Sequence, residues 1–178
     1  MTLARRASHA GIAATMLGAG VMAAGALASG PPAASQASGV PACVRQQLRV
    51  SMTHIPGSEG AGQTGYQLTI SNPSRTTCQI GNHPGLKLLG AHGKRLPTRV
   101  SYQGKSAPVT IATGKHKSLH LRFSPDVAGP GEPQTKPCEP TAHSVEVLLT
   151  APAQGSVAGP ISPPTPVCEH GSMSATSL

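Results

Sequence analysis

The chain has few aromatic and few acidic residues. It contains 178 residues without a Trp, and Asp and Glu together number six. Its aromatic side chains are Tyr66, Tyr102 and Phe123. Charged residues make up 11% of the sequence, which excludes the Glu- and Lys-rich helices of coiled coils and helix bundles. Proteins that bind single-stranded nucleic acid stack the bases on exposed aromatic rings, so we expect no specific nucleic-acid binding.

Glycine and proline are abundant instead. There are 21 Gly and 18 Pro, the two residues that most often mark turns. The length supplies one domain of ordinary size. These features favour a turn-rich, all-β domain.

The N-terminal segment has the composition of a secretory signal peptide. Arg5 and Arg6 precede an uncharged, Ala- and Gly-rich stretch, and small residues suited to cleavage lie at 26–28 and at 35–37. We predict a signal peptide over residues 1–28, with cleavage as late as residue 37, and the Sec and twin-arginine routes both stay open. An uncleaved membrane anchor is the alternative, which the weak hydrophobicity of the stretch disfavours.

The segment after the signal peptide is a linker. Residues 29–42 are rich in Pro, Ala, Ser and Gly and offer nothing to bury. Because a signal peptide is predicted, we expect a secreted protein, with cell-wall association as a further option. We expect no transmembrane segment after signal removal. The last residues, 171–178, resemble the linker in composition and are predicted to be a flexible tail.

Four cysteines follow the signal peptide: Cys43, Cys78, Cys138 and Cys168. An even number in an exported protein predicts two disulfides. Three connectivities exist, and pairing in order along the chain is preferred because it closes two moderate loops of about 35 and 30 residues. A zinc site is disfavoured because the spacings are too long and no C-x-x-C pair occurs. Lipid attachment at Cys43 is disfavoured by the nearby Pro41.

Alternating apolar and polar residues predict short strands. The pattern is clear over residues 48–52, 66–70, 119–123 and 145–149. With the turn residues between them, these segments predict a β-sandwich of about seven to nine short antiparallel strands over residues 43–170, with a small barrel as the alternative. The Pro-rich segments 125–142 and 151–167 should hold edge strands or none.

Two candidate ligand sites are weak. The loop from Gly57 to Thr64 matches a phosphate-binding loop except for its lysine, which supplies the charge on the outer phosphates. His116 and His120 could share a metal ion only on a helix, and the surrounding alternation predicts a strand, where they lie about 13 Å apart. We therefore expect no metal and no cofactor.

Catalytic signals are also weak. The chain has no G-x-S-x-G motif, and disulfide pairing leaves no cysteine nucleophile. The acidic residues stand mostly beside Gly or Pro in predicted loops, and nothing marks two of them as a catalytic pair. The expectation is a protein without enzymatic activity.

The chain is basic. Removal of Arg5 and Arg6 with the signal peptide lowers its formal charge from +8 to +6. An acidic partner is then electrostatically favoured, such as an anionic cell-envelope polymer or another exported protein. The charges form no run longer than two, so a merely solubilising surface is the competing interpretation. Three hypotheses remain: a non-enzymatic envelope or secreted module that binds an acidic or protein partner, a hydrolase with an unrecognised site, and a passive spacer domain.

Several short motifs follow one another in a specific order: Cys43 before an alternating strand, residues 60–72 (GAGQTGYQLTISN), Thr77-Cys78, Asn82 to Gly85, Thr113-Gly114, Cys138 and Cys168. Over residues 43–169 this order resembles the secreted actinobacterial domain of unknown function 4232. The resemblance implies an exported immunoglobulin-like β-sandwich whose cysteines pair in sequence. It implies no activity and no catalytic residue.

Overall fold

A computed structural model of the protein describes residues 39–178, so the predicted signal peptide and most of the linker lie outside the described part. Between residues 39 and 178 the chain forms ten strands: β1 Arg49–His54, β2 Thr64–Ser71, β3 Cys78–Gly81, β4 Gly85–Leu89, β5 Arg99–Tyr102, β6 Pro108–Ile111, β7 His116–Phe123, β8 Ala142–Leu148, β9 Ser156–Thr165 and β10 Ser172–Ala175. Short helical turns lie at Arg45–Gln47, Ala91–Gly93 and Cys168–Gly171. Within residues 39–178, none of the helical turns has the length and hydrophobicity of a membrane-spanning helix.

Eight strands form one sheet in the order β4-β8-β9-β1-β2-β7-β10-β5, and β3 pairs with β6 in a second sheet. The large sheet curves until its two edges meet. The backbone N–H of Leu88 in β4 donates to the Thr98 hydroxyl, next to β5, at 2.9 Å, and the N–H of Leu96 donates to the Leu88 carbonyl at 2.9 Å. The all-β fold is confirmed, in a form between a sandwich and a barrel. The strand pairs β1–β9 and β5–β10 are parallel, unlike the antiparallel arrangement expected throughout.

The core follows the alternation in the sequence. Leu68 of β2 lies opposite Leu119 of β7, and both are fully buried. The intervening Gln67 and His120 face outward, where His120 is exposed. Because the side-chain period of a strand is two, this register puts one face of each strand in a single core and leaves the other in solvent.

The Pro-rich segment forms an interior strand, contrary to the expectation of an edge strand or none. β9 pairs with β8 on one side and with β1 on the other. Its ladder with β8 is interrupted between Ala142 and Ser144, which lie opposite Thr165 and Pro160. Pro163 and Pro164 fall inside this interruption, so the hydrogen bonds that proline cannot donate are not needed there.

The prediction of a flexible tail over residues 171–178 is wrong. Residues 172–175 form β10, which lies between β7 and β5. Met173 and Ala175 are buried, while the alternating Ser174 faces solvent. The tail is short and poor in large apolar residues, so its alternation was too weak to identify a strand. Two neighbouring strands supply the backbone partners that fix it.

The disulfides join Cys43 to Cys78 and Cys138 to Cys168, as pairing in order predicts. The Cα atoms are 4.8 Å apart in the first bridge and 5.7 Å apart in the second. The first bridge ties the segment before β1 to β3. The second ties the long β7–β8 loop to the turn after β9. Each bridge therefore fixes a segment that the large sheet does not hold.

Candidate functional site

The strand directions divide the loops between two ends of the sheet. β1, β7 and β9 run toward what we term the upper end, and β2, β8 and β10 start there. The upper end comprises the loops 55–63, 90–98, 124–141 and 166–171. The lower end comprises the segments 39–48, 72–77, 103–107, 112–115 and 149–155, together with the small β3–β6 sheet. The charged residues are distributed very unequally between these ends.

The lower end carries only positive charge among its charged residues. It contains the loop cations Arg45, Arg75, Lys105 and Lys115 and the strand-end cations Arg49 and Lys117, all exposed. No Asp or Glu occurs in any of its described segments. We term these six residues the cationic end. A surface with cations and without carboxylates attracts anions without internal competition.

Strand register brings part of the cationic end together. Arg49 of β1 lies opposite Ser71 of β2, which in turn lies opposite His116 of β7. Neighbouring strands are about 4.8 Å apart, so Arg49 and His116 are separated by roughly 10 Å across this row. The backbone N–H of Asn72 donates to the Lys115 carbonyl at 2.9 Å, so the loop with Arg75 lies beside the loop with Lys115.

Asn72 forms the hydrogen bonds that hold the Arg75 loop in place. Its side chain is fully buried, and its amide donates to the carbonyls of Thr76 at 2.8 Å and Ile111 at 3.0 Å. Its carbonyl oxygen accepts hydrogen bonds from the backbone N–H of Ser74 at 3.1 Å and the Ser74 hydroxyl at 2.6 Å. A satisfied buried amide holds the loop close to β6 and fixes the position of Arg75.

The outer face between the two ends is polar. On β7 the outward residues His116, Ser118, His120 and Arg122 alternate with buried core residues. The Ser118 hydroxyl lies 3.1 Å from the Thr69 hydroxyl of β2, and Gln67 donates its amide to Ser118 at 3.1 Å. None of the strands β1, β2, β5, β7 and β10 contains Asp or Glu. This face therefore extends the acid-free surface upward from the cationic end.

The upper end holds five of the six acidic residues: Glu59, Asp126, Glu132, Glu139 and Glu169. Between its loops lies a cleft of about 350 Å³. The ring of Tyr66, which is 3% exposed, forms part of its lining, and His54, Glu59 and Asp126 stand around it. The cleft thus combines an imidazole, two carboxylates and a phenol.

The cleft contains a preformed acid–base pair. Nε2 of His54 lies 2.8 Å from Oε1 of Glu59, and the imidazole packs edge-on against the Tyr66 ring with centroids 5.3 Å apart. Burial raises the pKa of Tyr66, which the Thr165 hydroxyl lowers only in part. The phenol therefore stays protonated at neutral pH, and it donates to the Pro163 carbonyl at 3.0 Å.

A second acidic cluster lies deeper in the upper end. The Glu132 carboxylate accepts hydrogen bonds from the backbone N–H groups of Gly129 at 2.7 Å, Glu169 at 2.8 Å and His170. Glu169 and His170 have φ angles of 57° and 55°, in the left-handed region that only a few non-glycine residues adopt. The N–H groups of Glu169 and His170 form a concave nest around the Glu132 carboxylate. The two hydrogen bonds that the carboxylate accepts stabilise the left-handed backbone of these two residues.

Burial raises the pKa of Glu132, but the hydrogen bonds from His170, Gly129 and Glu169 have the larger combined effect and lower the pKa to about 2. Glu139 shows the opposite shift. Burial and the neighbouring Glu132 raise the pKa of Glu139. The two carboxyl groups are adjacent, Glu132 is buried and Glu139 is partly buried. One carboxyl group is held ionised while the other retains its proton more readily.

The sequence candidates fall in separate places. The Gly57–Thr64 segment leads into strand β2 and not into a helix, so it lacks the geometry of a phosphate-binding loop. His116 and His120 both lie on the outer face of β7 and are exposed. Neither belongs to the two groups of potential metal ligands that occur among residues 39–178. The four cysteines are all in disulfides.

Sequence reasoning missed both the cationic end and the upper clusters. The residues concerned are far apart in the chain, so no local pattern links them. His54 and Glu59 are five residues apart in the sequence, on either side of a short turn. This spacing alone does not indicate that their side chains meet. The strand order places the Arg75 loop beside the Lys115 loop. The Cys138–Cys168 disulfide and the hydrogen bonds of the Glu132 carboxylate place Glu132 beside His170.

Comparison with known proteins identifies a family but no activity. No curated protein matches the chain, and no solved structure matches it. The model of the family described as Domain of unknown function (DUF4232) matches residues 43–178, a span that includes β10. The match covers about three quarters of the sequence, and the cysteine order and β-rich fold agree with it, so the chain belongs to the DUF4232 family.

Proposed function

We propose that the domain is a non-enzymatic, exported module that binds an anionic polymer of the cell envelope through its cationic end. The observation that carries this proposal is charge segregation. Six exposed cations share the lower end with no carboxylate in its described segments, while five of the six acidic residues lie at the other end. A solubilising surface has no need for such separation, because mixed charges serve that purpose well.

The ligand chemistry follows from the side chains. The lower end offers guanidinium and ammonium groups without exposed aromatic rings among them, which suits phosphate or carboxylate groups more than sugar rings or bases. The cations are spread over several loops and two strand ends. A repeating polyanion can contact several of them at once, whereas a single small anion cannot. Binding should therefore depend strongly on salt.

The experiment is retention of the purified mature domain on isolated envelope material across a NaCl gradient. A lower-end variant replaces Arg75, Lys115 and Lys117 by Ser. The matched control replaces Lys87, Lys94 and Arg95 by Ser and so removes the same charge elsewhere. We expect retention of the wild type at low salt, its loss as salt rises, a weaker salt dependence for the lower-end variant, and little change for the control.

Two results would contradict the proposal. Absence of wild-type retention even at low salt would exclude an anionic envelope ligand. Equal loss in both triple variants would mean that net charge alone, and not the cationic end, controls association. Thermal unfolding of each variant, measured beforehand, separates loss of binding from loss of the fold.

A hydrolase is the second candidate function. The pair formed by His54 and Glu59 in the cleft favours it, because a carboxylate beside an imidazole is a common general-base arrangement. Among the described lining residues, however, the hydroxyl groups belong to Thr64, Thr165 and Tyr66, and Tyr66 already donates to a carbonyl. Hydrolysis of envelope polymers or ester substrates that disappears in His54→Ala but not in His143→Ala would support this alternative.

A further inference from the structure

His170 lies between two carboxylates at the upper end. Its Nδ1 is 3.6 Å from Oε1 of Glu132 and 3.8 Å from Oε1 of Glu139. These distances are too long for hydrogen bonds. They are close to the separation of roughly 3.4 Å between neighbouring ligand atoms in a tetrahedral zinc site with bonds of about 2.1 Å. One ligand atom from each of the three residues lies within 4.8 Å of the others.

The other ring nitrogen of His170 fixes its tautomer. Nε2 lies 2.9 Å from the carbonyl oxygen of Pro130, which can only accept a hydrogen bond. Nε2 therefore carries a proton, and in the neutral imidazole Nδ1 presents its lone pair toward the two carboxylates. Histidine ligands of metals have this arrangement, with one nitrogen donating to a carbonyl and the other free to coordinate.

The carboxyl groups of Glu132 and Glu139 lie side by side at the same point as the His170 ring. The side chain of Glu132 is 2% exposed and that of Glu139 is 15% exposed, so water screens their repulsion poorly. Three backbone N–H groups, from Gly129, Glu169 and His170, donate to the Glu132 carboxylate and fix its position. His170 is 49% exposed, which leaves one side of the cluster open to solvent.

The Cys138–Cys168 disulfide holds the ligand-bearing segments together. Cys138 directly precedes Glu139, and Cys168 lies two residues before His170. The bridge therefore joins the β7–β8 loop to the turn after β9 at the point where the three side chains meet. The ligand atoms are positioned by a covalent link and by the nest around Glu132, without a requirement for an ion.

We propose that Glu132, Glu139 and His170 form a binding site for a divalent transition metal ion. One imidazole nitrogen and two carboxylate oxygens suit Zn²⁺, with water completing the coordination on the open side. The nitrogen ligand and the small number of oxygens make Ca²⁺ a poor occupant. This site lies at the opposite end of the sheet from the cationic end, so it does not depend on polymer binding.

The test uses the untagged, disulfide-intact domain after treatment with a chelator. Calorimetric titration with ZnCl₂ measures affinity, and Co²⁺ provides a visible absorption spectrum that reports nitrogen and oxygen coordination. His170→Ala and Glu139→Gln each remove one ligand, and His143→Ala is the matched control on the exposed side of β8. We expect zinc affinity to fall at least about tenfold in both ligand variants and to stay unchanged in the control.

Glu139→Gln preserves size and the Glu132 nest, so it remains informative if His170→Ala folds poorly. Absence of wild-type zinc binding at millimolar concentration would overturn the proposal and leave a proton as the charge between the carboxylates. Equal affinity in Glu139→Gln, His170→Ala and the His143→Ala control would also overturn it, because the ion would then bind elsewhere.

Discussion

Replacement of Glu132 by Gln should destabilise the domain strongly at neutral pH. The carboxylate is buried and accepts three backbone hydrogen bonds, two of them at 2.7 and 2.8 Å from Gly129 and Glu169. A hydrogen bond to a charged group contributes about 1.5–3 kcal/mol, and Gln retains one acceptor oxygen while its NH₂ group faces a backbone N–H. We expect a loss of about 3 kcal/mol in the free energy of unfolding at pH 7.

The lowered pKa of Glu132 makes this stabilisation depend on pH. The hydrogen bonds lower the pKa of Glu132 to about 2, below its ordinary value of 4.5. Because the folded-state pKa is the lower one, the stabilisation is fully present above pH 4.5 and is lost as the pH falls toward 2. The difference between the wild type and Glu132→Gln should therefore be largest near neutral pH and shrink across this window.

The assay is urea unfolding of the metal-free protein, followed by far-ultraviolet circular dichroism because the chain lacks Trp. Glu169→Gln is the matched control, since this exposed side chain forms no hydrogen bond or ion pair within residues 39–178. The control should change stability by less than about 0.5 kcal/mol. If Glu132→Gln were as stable as Glu169→Gln at pH 7, the three backbone N–H groups would not stabilise an ionised carboxylate at this position.

Three further changes test the scaffold. Replacement of Cys43 and Cys78 by Ser opens a loop of 35 residues and should lower stability by about 3 to 4 kcal/mol in non-reducing thermal unfolding; an unchanged melting temperature would exclude a structural role. In Gly159→Ala the new Cβ would lie 1.9 Å from a backbone oxygen of β1, so we expect a loss of about 3 kcal/mol or more, whereas Gly60→Ala meets no atom within 4 Å and should be nearly neutral. Asn72→Ala removes four hydrogen bonds to Ser74, Thr76 and Ile111 and a weaker one to the Cys78 sulfur, and it should cost about 3 kcal/mol. It should also weaken envelope retention without a change in charge; full retention would show that the loop conformation does not affect binding.

Local sequence patterns were sufficient to predict the strands with strong apolar alternation and the two disulfides. The alternation over residues 119–123 predicted β7, and 66–70 predicted the centre of β2, because large apolar side chains at every second position define a buried face. Cysteine number and order predicted both bridges. These signals involve strong preferences of a few adjacent residues or a simple count.

The errors arose where pairing partners override composition. Residues 172–175 carry only small and polar side chains apart from Met173, yet two flanking strands supply hydrogen bonds and make them β10. Prolines argued against an interior strand over 156–165, but the break in the β8–β9 ladder accommodates them. The sequence pattern shows neither that β7 and β5 can both pair with residues 172–175 nor that the hydrogen bonds between β8 and β9 are interrupted.

The clustering of the charged residues also depends on strand order, which a sequence pattern does not show. The binding hypothesis therefore depends on the topology of the sheet. Along the sequence, Arg49, Arg75 and Lys115 are separated by more than 20 residues each and resemble a scattered, solubilising set. The strand order places β1, β2 and β7 side by side, so the start of β1, the end of β2 and the start of β7 meet at the lower end. The acidic residues follow the opposite connections of the same strands to the upper end. Because β2 runs antiparallel to β1 and β7, Arg49, the Arg75 loop and Lys115 meet at the lower end, whereas Glu59 in the β1–β2 loop and the acidic residues of the loop after β7 lie at the upper end.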